Sequence, residues 1–260
     1  MKVYIATDME GISLIWKPEQ VMPSSGAEYE YGRQQATADV NVAIGAAFEA
    51  GATRVVVQDG HGPSAFIWDR IDPRAEVERI TSAAILQPSL DASFDALLEV
   101  GRHAMAGTLG AFLDHTQSSE NWFCYRINGV AYGEIAQDAF YAAAFGVPLA
   151  FVSGDRAACA EARRQFPGTV TAEVKWAVKR NAAHCLSGPV ARRRIHEGVK
   201  KALANLKKIK PVKLKKPIRV ELTLQRTNLA DDYLGRRGLA RVDGRTIRMV
   251  VADQRDILRF

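Results

Sequence analysis

Cysteine is scarce in this chain of 260 residues: Cys124, Cys159 and Cys185 are odd in number and far apart. They suit neither a disulfide framework nor a CxxC metal site, and a reducing cytoplasm is the expected compartment. Long hydrophobic runs are missing too. None approaches the roughly 18 apolar residues of a membrane span, so no membrane association is expected. The N-terminus enters an apolar strand directly, and no export signal is read. Acids are missing from residues 200–220, KKALANLKKIKPVKLKKPIRV, where eight Lys and one Arg stand. That is a local +9 inside a chain of net charge +6, so the remainder is acidic by three. The segment lacks interleaved aromatics for base stacking, and nucleic acid is not an expected partner. Lysines at a helix C-terminus, followed by Pro211 and Pro217, explain it through the helix dipole.

What is present is a run of strand and helix signals in alternation. KVYIAT at 2–7 reads as a short buried strand. Residues 29–50 read as a helix, with Val40, Ala43, Ile44, Ala47 and Phe48 at three- and four-residue spacings. Gly51 is its natural stop. Residues 55–57 read as a second buried strand breaking into the loop Asp59-Gly60-His61-Gly62. Strand, helix and strand with short connections make a βαβ unit and a parallel sheet. AILQP at 84–88 is a further candidate strand, and residues 91–107 read as a helix or a strand running into a loop at His103. Asn128-Gly129 between β-rich flanks is a hairpin signal. Glu134 opens a helix ended by Gly146, residues 147–155 form another buried strand, and AACAEARRQF is helical. Beyond the Lys-rich segment, IRVELTLQ alternates strictly and RTIRMVVAD follows a turn at Asp243-Gly244. The expected fold is α/β, a mostly parallel sheet sandwiched by helices. The expected division is 1–210 as catalytic domain and 211–260 as a small α+β portion.

Burying a carboxylate without a partner costs several kcal/mol, yet Asp8 and Glu10 stand at the end of the first strand. Open α/β sheets place ligands beyond the carboxyl ends of their strands. Asp59 and His61 follow the second strand, and His103, His115 and Glu134 lie beside Gly-rich loops or a helix start. Only five histidines exist, and three of them fall at such places. Carboxylates with imidazoles make the mixed O/N donor set of zinc, and less specifically of Mn or Co. Asp8 and Glu10 alternate with Met9, so on a continuing strand both face one side. Each residue also has a plain reading: His61 as a loop residue, His103 as a carbonyl-bonded histidine, Glu134 as first-turn charge suited to the dipole. Composition and spacing leave both open. His184 and His196 fall on helix-like stretches and read as structural.

DMEGIS at 8–13, EYEYGRQQATADVNVAIGAAFEAGA at 28–52, the DGHG loop, GRHA, DHT, NG…GE and VPLAFVSGD come in a fixed order and spacing. In this the chain resembles the bacterial zinc D-aminopeptidases associated with dipeptide-permease operons. The resemblance implies two zinc ions per chain, held by Asp8, Glu10, His61, His103 and Glu134 with Asp8 as bridge. It places the catalytic histidine at His115. It further implies short peptide substrates with a free amine and an N-terminal D-residue, notably D-alanine, and homo-oligomers of stacked rings forming decamers. Other readings are a related amidohydrolase on a non-peptide amide, or a ligand-binding module that keeps the metal. Some positions depart from the family pattern. Asp114 stands where Ser is common, Gln58 where Asn is usual, Arg102 where an aromatic is usual, and Arg156 where a second acid is common. Asp114 would favour an imidazolium at His115 if it pointed inward. Arg102 reads equally as a substrate-carboxylate ligand or a solvated side chain.

Overall fold

The computed structural model describes residues 1–62, 64–79 and 86–260. The chain runs through β1 (Lys2–Thr7), α1 (Ala27–Glu49), β2 (Arg54–Asp59), β3 (Glu76–Arg79), β4 (Ala96–Arg102), β5 (Trp122–Ile127) and β6 (Val130–Ala131). It continues through α2 (Glu134–Ala144), β7 (Leu149–Asp155), α3 (Arg156–Gln165), β8 (Val170–Lys179), β9 (Ala182–Cys185) and α4 (Gly188–Ala204). The last elements are β10 (Ile218–Leu224), α5 (Thr227–Asp231), β11 (Leu239–Arg241) and β12 (Thr246–Val251).

Seven strands form one sheet in the order β3-β2-β1-β4-β7-β8-β9. All neighbours are parallel except β8 and β9, which form a hairpin. Two core clusters flank this sheet, and β1 shows how the sequence divides between them. Val3 and Ile5 join Val40, Ile44, Ile195 and Val199 of α1 and α4 on one side. Tyr4 and Ala6 join Ile135 and Phe140 of α2 and Ala158 of α3 on the other. Apolar residues run through the strand at both parities because both faces are covered. The expected α/β architecture, a mostly parallel sheet between helices, is the one observed.

A second, antiparallel sheet has the order β11-β12-β10-β5-β6. Asn128 and Gly129, at φ +50° and +85°, make the hairpin turn between β5 and β6, as their pairing of residue types predicts. Strand β10 pairs β5 on one side and β12 on the other. The strands of 218–251 therefore complete a sheet begun in the middle third of the chain. Residues 135–143 of α2 are all buried, and Ile135, Ala136, Ala139, Phe140, Tyr141 and Ala142 join the cluster that also holds Tyr125, Ile127, Val220 and Met249.

Some local expectations change. Of the strand expected over 84–88, residues 84 and 85 lie outside the described residues, and 86–88 run as a bend into a turn. Residues 96–102 are strand, and buried throughout. His184 lies on β9, not a helix, and stacks on Trp176 across the hairpin with ring centroids 4.3 Å apart. His196 does lie on α4, with Nε2 2.9 Å from Glu49 Oε2. Among the described residues no helix is long and apolar enough to cross a membrane.

Candidate metal centre

Strands β2, β1 and β4 are neighbours, and their carboxyl ends deliver His61, Asp8 and His103 to one place. The connection order reverses at β1, the switch point where open α/β sheets take their ligands. Strand β1 ends at Thr7, so Asp8 and Glu10 stand on a turn rather than on a continuing strand. The turn lies hard against β4, with Gly11 N–H donating to the Gly101 carbonyl at 2.7 Å. A Cβ on Gly11 would come within 2.0 Å of the Arg102 carbonyl oxygen, so only glycine permits this approach.

Both acids still reach one imidazole. His61 Nδ1 is 3.0 Å from Asp8 Oδ1 and 3.3 Å from Glu10 Oε2. On the other side of Asp8, His103 Nε2 is 3.2 Å from Asp8 Oδ2 and 3.5 Å from Glu134 Oε1. Glu134 is the first residue of α2, where the dipole favours its charge. His115, on the loop between β4 and β5, stacks on His103 with centroids 4.0 Å apart and has Nε2 3.9 Å from Glu134 Oε1. All six sequence-predicted residues thus meet around Asp8 and Glu134. Asp59 does not join them. Its carboxylate accepts from Ser64 Oγ, Ala65 N–H and Trp68 Nε1 and folds its own loop.

The tautomers decide what this arrangement can hold. A carbonyl oxygen only accepts, so an imidazole nitrogen facing one carries the proton. His61 Nε2 faces the Val21 carbonyl at 3.0 Å, His103 Nδ1 the Ala104 carbonyl at 3.0 Å, and His115 Nδ1 the Leu113 carbonyl at 2.8 Å. Each ring therefore turns its lone pair toward carboxylate oxygens, an arrangement that repels unless positive charge lies between. His103 Nε2 and Glu10 Oε2 are buried and make no hydrogen bond. Burial disfavours charge on both rings, yet Glu10 and Asp8 hold His61, and Glu134 and Asp8 hold His103, well above the ordinary histidine range. Burial likewise opposes ionisation of Asp8 and Glu134. His103 and His61 outweigh it at Asp8, which lies well below the usual carboxylate range; His103 and His115 bring Glu134 to about 2. The carboxylates demand positive charge opposite the imidazole nitrogens, a demand that protons or divalent cations meet. The donor set, three carboxylates and imidazoles with free lone pairs, fits zinc.

The departures from the family pattern resolve in different ways. Asp114 is engaged elsewhere than at His115: Oδ2 accepts from Gly107 N–H at 2.7 Å and Oδ1 from Arg180 Nε at 3.1 Å. Arg102 is not solvated. It is 6% exposed and lies beneath the centre, ion-paired with Asp138 and with Glu99 at 3.0 Å. Its Nη1 is 3.6 Å from Asp8 and 3.7 Å from Glu134. Gln58 donates to the Leu86 carbonyl, and Arg156 lies at the surface over the Trp176 ring. Two residues escaped the sequence reading. Lys175 is wholly buried in β8, its Nζ donating to the Ile12 and Ile15 carbonyls at 2.8 and 2.7 Å. Arg180, in the β8–β9 turn, borders two pockets that His115 also lines. One, about 510 Å³, is walled by Trp122, Phe123 and Gln225. The other, about 270 Å³, is walled by Glu10, Val21 and Met22.

A model of the D-aminopeptidase family, peptidase family M55, matches residues 1–260. The chain belongs to the D-aminopeptidase family. The D-aminopeptidase of Bacillus subtilis strain 168 is 34% identical over 231 residues, 88% of this chain and 82% of that protein. The solved structure of the Zn-dependent D-aminopeptidase DppA from Bacillus subtilis, described as a self-compartmentalizing protease, matches with a TM-score of 0.93 at 28% identity. The match covers 100% of this chain and 94% of that one. The family is one of metallopeptidases, and the chain is accordingly a hydrolase of amide bonds, the class that the sequence resemblance implies.

Proposed function

We infer that the chain is a di-zinc aminopeptidase acting on short peptides with an N-terminal D-residue, D-alanine above all. One observation carries the metal reading: three imidazoles tie one nitrogen to a main-chain carbonyl and turn the other toward shared carboxylates. Asp8, Glu10 and His61 form one half of the set, and Asp8, His103 and Glu134 the other, with Asp8 common to both. Zinc in such a site acidifies a water and polarises the scissile carbonyl. Hydrolysis forms a carbon–oxygen bond, breaks the carbon–nitrogen bond and hands a proton to the leaving amine. His115 is the group placed for that proton. Its Nδ1–H is held by Leu113, which leaves Nε2 to accept a proton or donate it beside the reacting amide.

The Zn-dependence of the DppA structure and its description as self-compartmentalizing support zinc and a ring-stacked homo-oligomer, the decamer implied by the resemblance. A cytoplasmic site of action fits the free cysteines. Asp114, the one change that could favour the binding-module alternative, is engaged by Gly107 N–H and Arg180, and His115 is retained, which argues for catalysis.

The test is metal content by mass spectrometry together with D-alanine release from D-alanyl-D-alanine, for wild type and His115→Ala. The expected result is about two zinc ions per chain in both proteins. Turnover should fall about 10²–10⁴-fold in the variant. A protein that stays metal-free and inactive after zinc reconstitution would overturn the reading.

A further inference from the structure

We propose that Arg180 is a carboxylate-binding residue that selects substrates ending in a free α-carboxylate close to the scissile bond. The inference deepens the peptidase reading above and rests on it. Three observations carry it. First, Arg180, His115 and Ser119 are common to both pockets, so a ligand spanning from one to the other passes the guanidinium as it passes the catalytic histidine. Second, the guanidinium is fixed in place. Nε donates to Asp114 Oδ1 at 3.1 Å, Nη2 to the Asp114 carbonyl at 3.1 Å and Nη1 to Asn181 Oδ1 at 3.0 Å. An arginine has five N–H donors, so one on each Nη is unclaimed by these bonds. Third, both oxygens of Asp114 are engaged, one by Arg180 and one by Gly107 N–H. The acid orients the arginine and turns no oxygen loose toward an incoming anion.

The smaller pocket also contains Glu10 of the proposed metal set, so the metal side and the guanidinium border the same space. That layout matches a dipeptide with its reacting amide at the metal side and its carboxylate toward Arg180. A planar guanidinium prefers a carboxylate, which it binds through two parallel donors. A primary amide in the same position carries no charge for it.

Arg180 also has a purely structural tie to the site, since its carbonyl accepts from Leu113 N–H at 2.8 Å and Leu113 in turn holds His115. The experiment must separate the two roles. Zinc-loaded His115→Ala protein, with and without Arg180→Ala, is titrated calorimetrically with D-alanyl-D-alanine and with D-alanyl-D-alaninamide, which differs only in carrying a primary amide in place of the carboxylate. The dipeptide is expected to bind about 10-fold more tightly than the amide when Arg180 is present, the size of a charge-assisted hydrogen-bonded contact. Arg180→Ala should erase that ratio while leaving amide binding where it was, and Arg180→Lys should restore part of it. A ratio unchanged by Arg180→Ala, an equal loss for both ligands, or no binding of either would overturn the proposal. Failure of the peptidase reading itself is seen separately, as absence of D-alanine release by the zinc-loaded wild-type protein.

Discussion

At the scale of single residues, the centre is held from beneath as well as from the sides. Arg102 stays cationic between Asp138 and Glu99, and above it lie Asp8 and Glu134. Burial pushes Glu99 well above the usual carboxylate range and Asp138 to about 6, against the pull of Arg102. Removing one member of a buried ion pair strands the other, at about 3–5 kcal/mol. Arg102→Met should therefore lower stability in urea by roughly that amount. Arg102→Met combined with Asp138→Asn should recover part of the loss. A single variant as stable as wild type would show that the guanidinium is dispensable to this network. Neither sequence reading of Arg102 anticipated this place for it. The acids were legible because they stand at a strand end, where a carboxylate requires a partner. Arg102 reads as surface charge until β4 is known to be buried on both faces, and its counter-ions Glu99 and Asp138 come from different elements.

At the scale of elements, the ends of three neighbouring parallel strands and the start of α2 supply the candidate ligands, and a further strand braces them. Lys175 reaches from β8 to two carbonyls of the turn that follows Glu10. Burial lowers its pKa to about 8, and a neutral amine keeps two N–H groups for the same two acceptors. Lys175→Met leaves the Ile12 and Ile15 carbonyls unsatisfied, at about 1–3 kcal/mol each. We expect a lower melting temperature and zinc affinity reduced by about 10-fold or more in chelator competition, the scale of lost outer-shell support. Unchanged affinity would mean that the turn holds Glu10 unaided. The β8–β9 hairpin itself was not foreseen. Its turn residues, Arg180 and Asn181, carry no Gly or Pro, and β9 is four residues long. The β5–β6 hairpin was legible because Asn-Gly suits a turn with positive φ at both positions.

At the scale of the whole molecule, the notable fact is which stretches share a sheet. Strand β10 meets β5 across about 90 residues of chain, with Val220 opposite Ile127 and Leu222 opposite Tyr125. No periodicity announces such a pairing, since alternation states that a strand is half-buried and not what lies beside it. A boundary at 210 suggests two units, whereas the shared sheet and the common cluster around Phe140 tie both segments into one. Urea unfolding followed by far-UV circular dichroism and by tryptophan fluorescence should accordingly give coincident transitions. Zinc should shift them together through mass action. Transitions that separate would restore an independent C-terminal unit.

The histidine tethers have a consequence for how such a protein tolerates drift. Val21, Ala104 and Leu113 hold the three rings through main-chain oxygens, an atom that every amino acid possesses. Point substitution at any of the three anchors changes a side chain and leaves the acceptor in place. The proton pattern that readies the imidazoles is thus encoded in the path of the chain and is insulated from most mutations. It is lost only by insertions, deletions or prolines that reroute those loops.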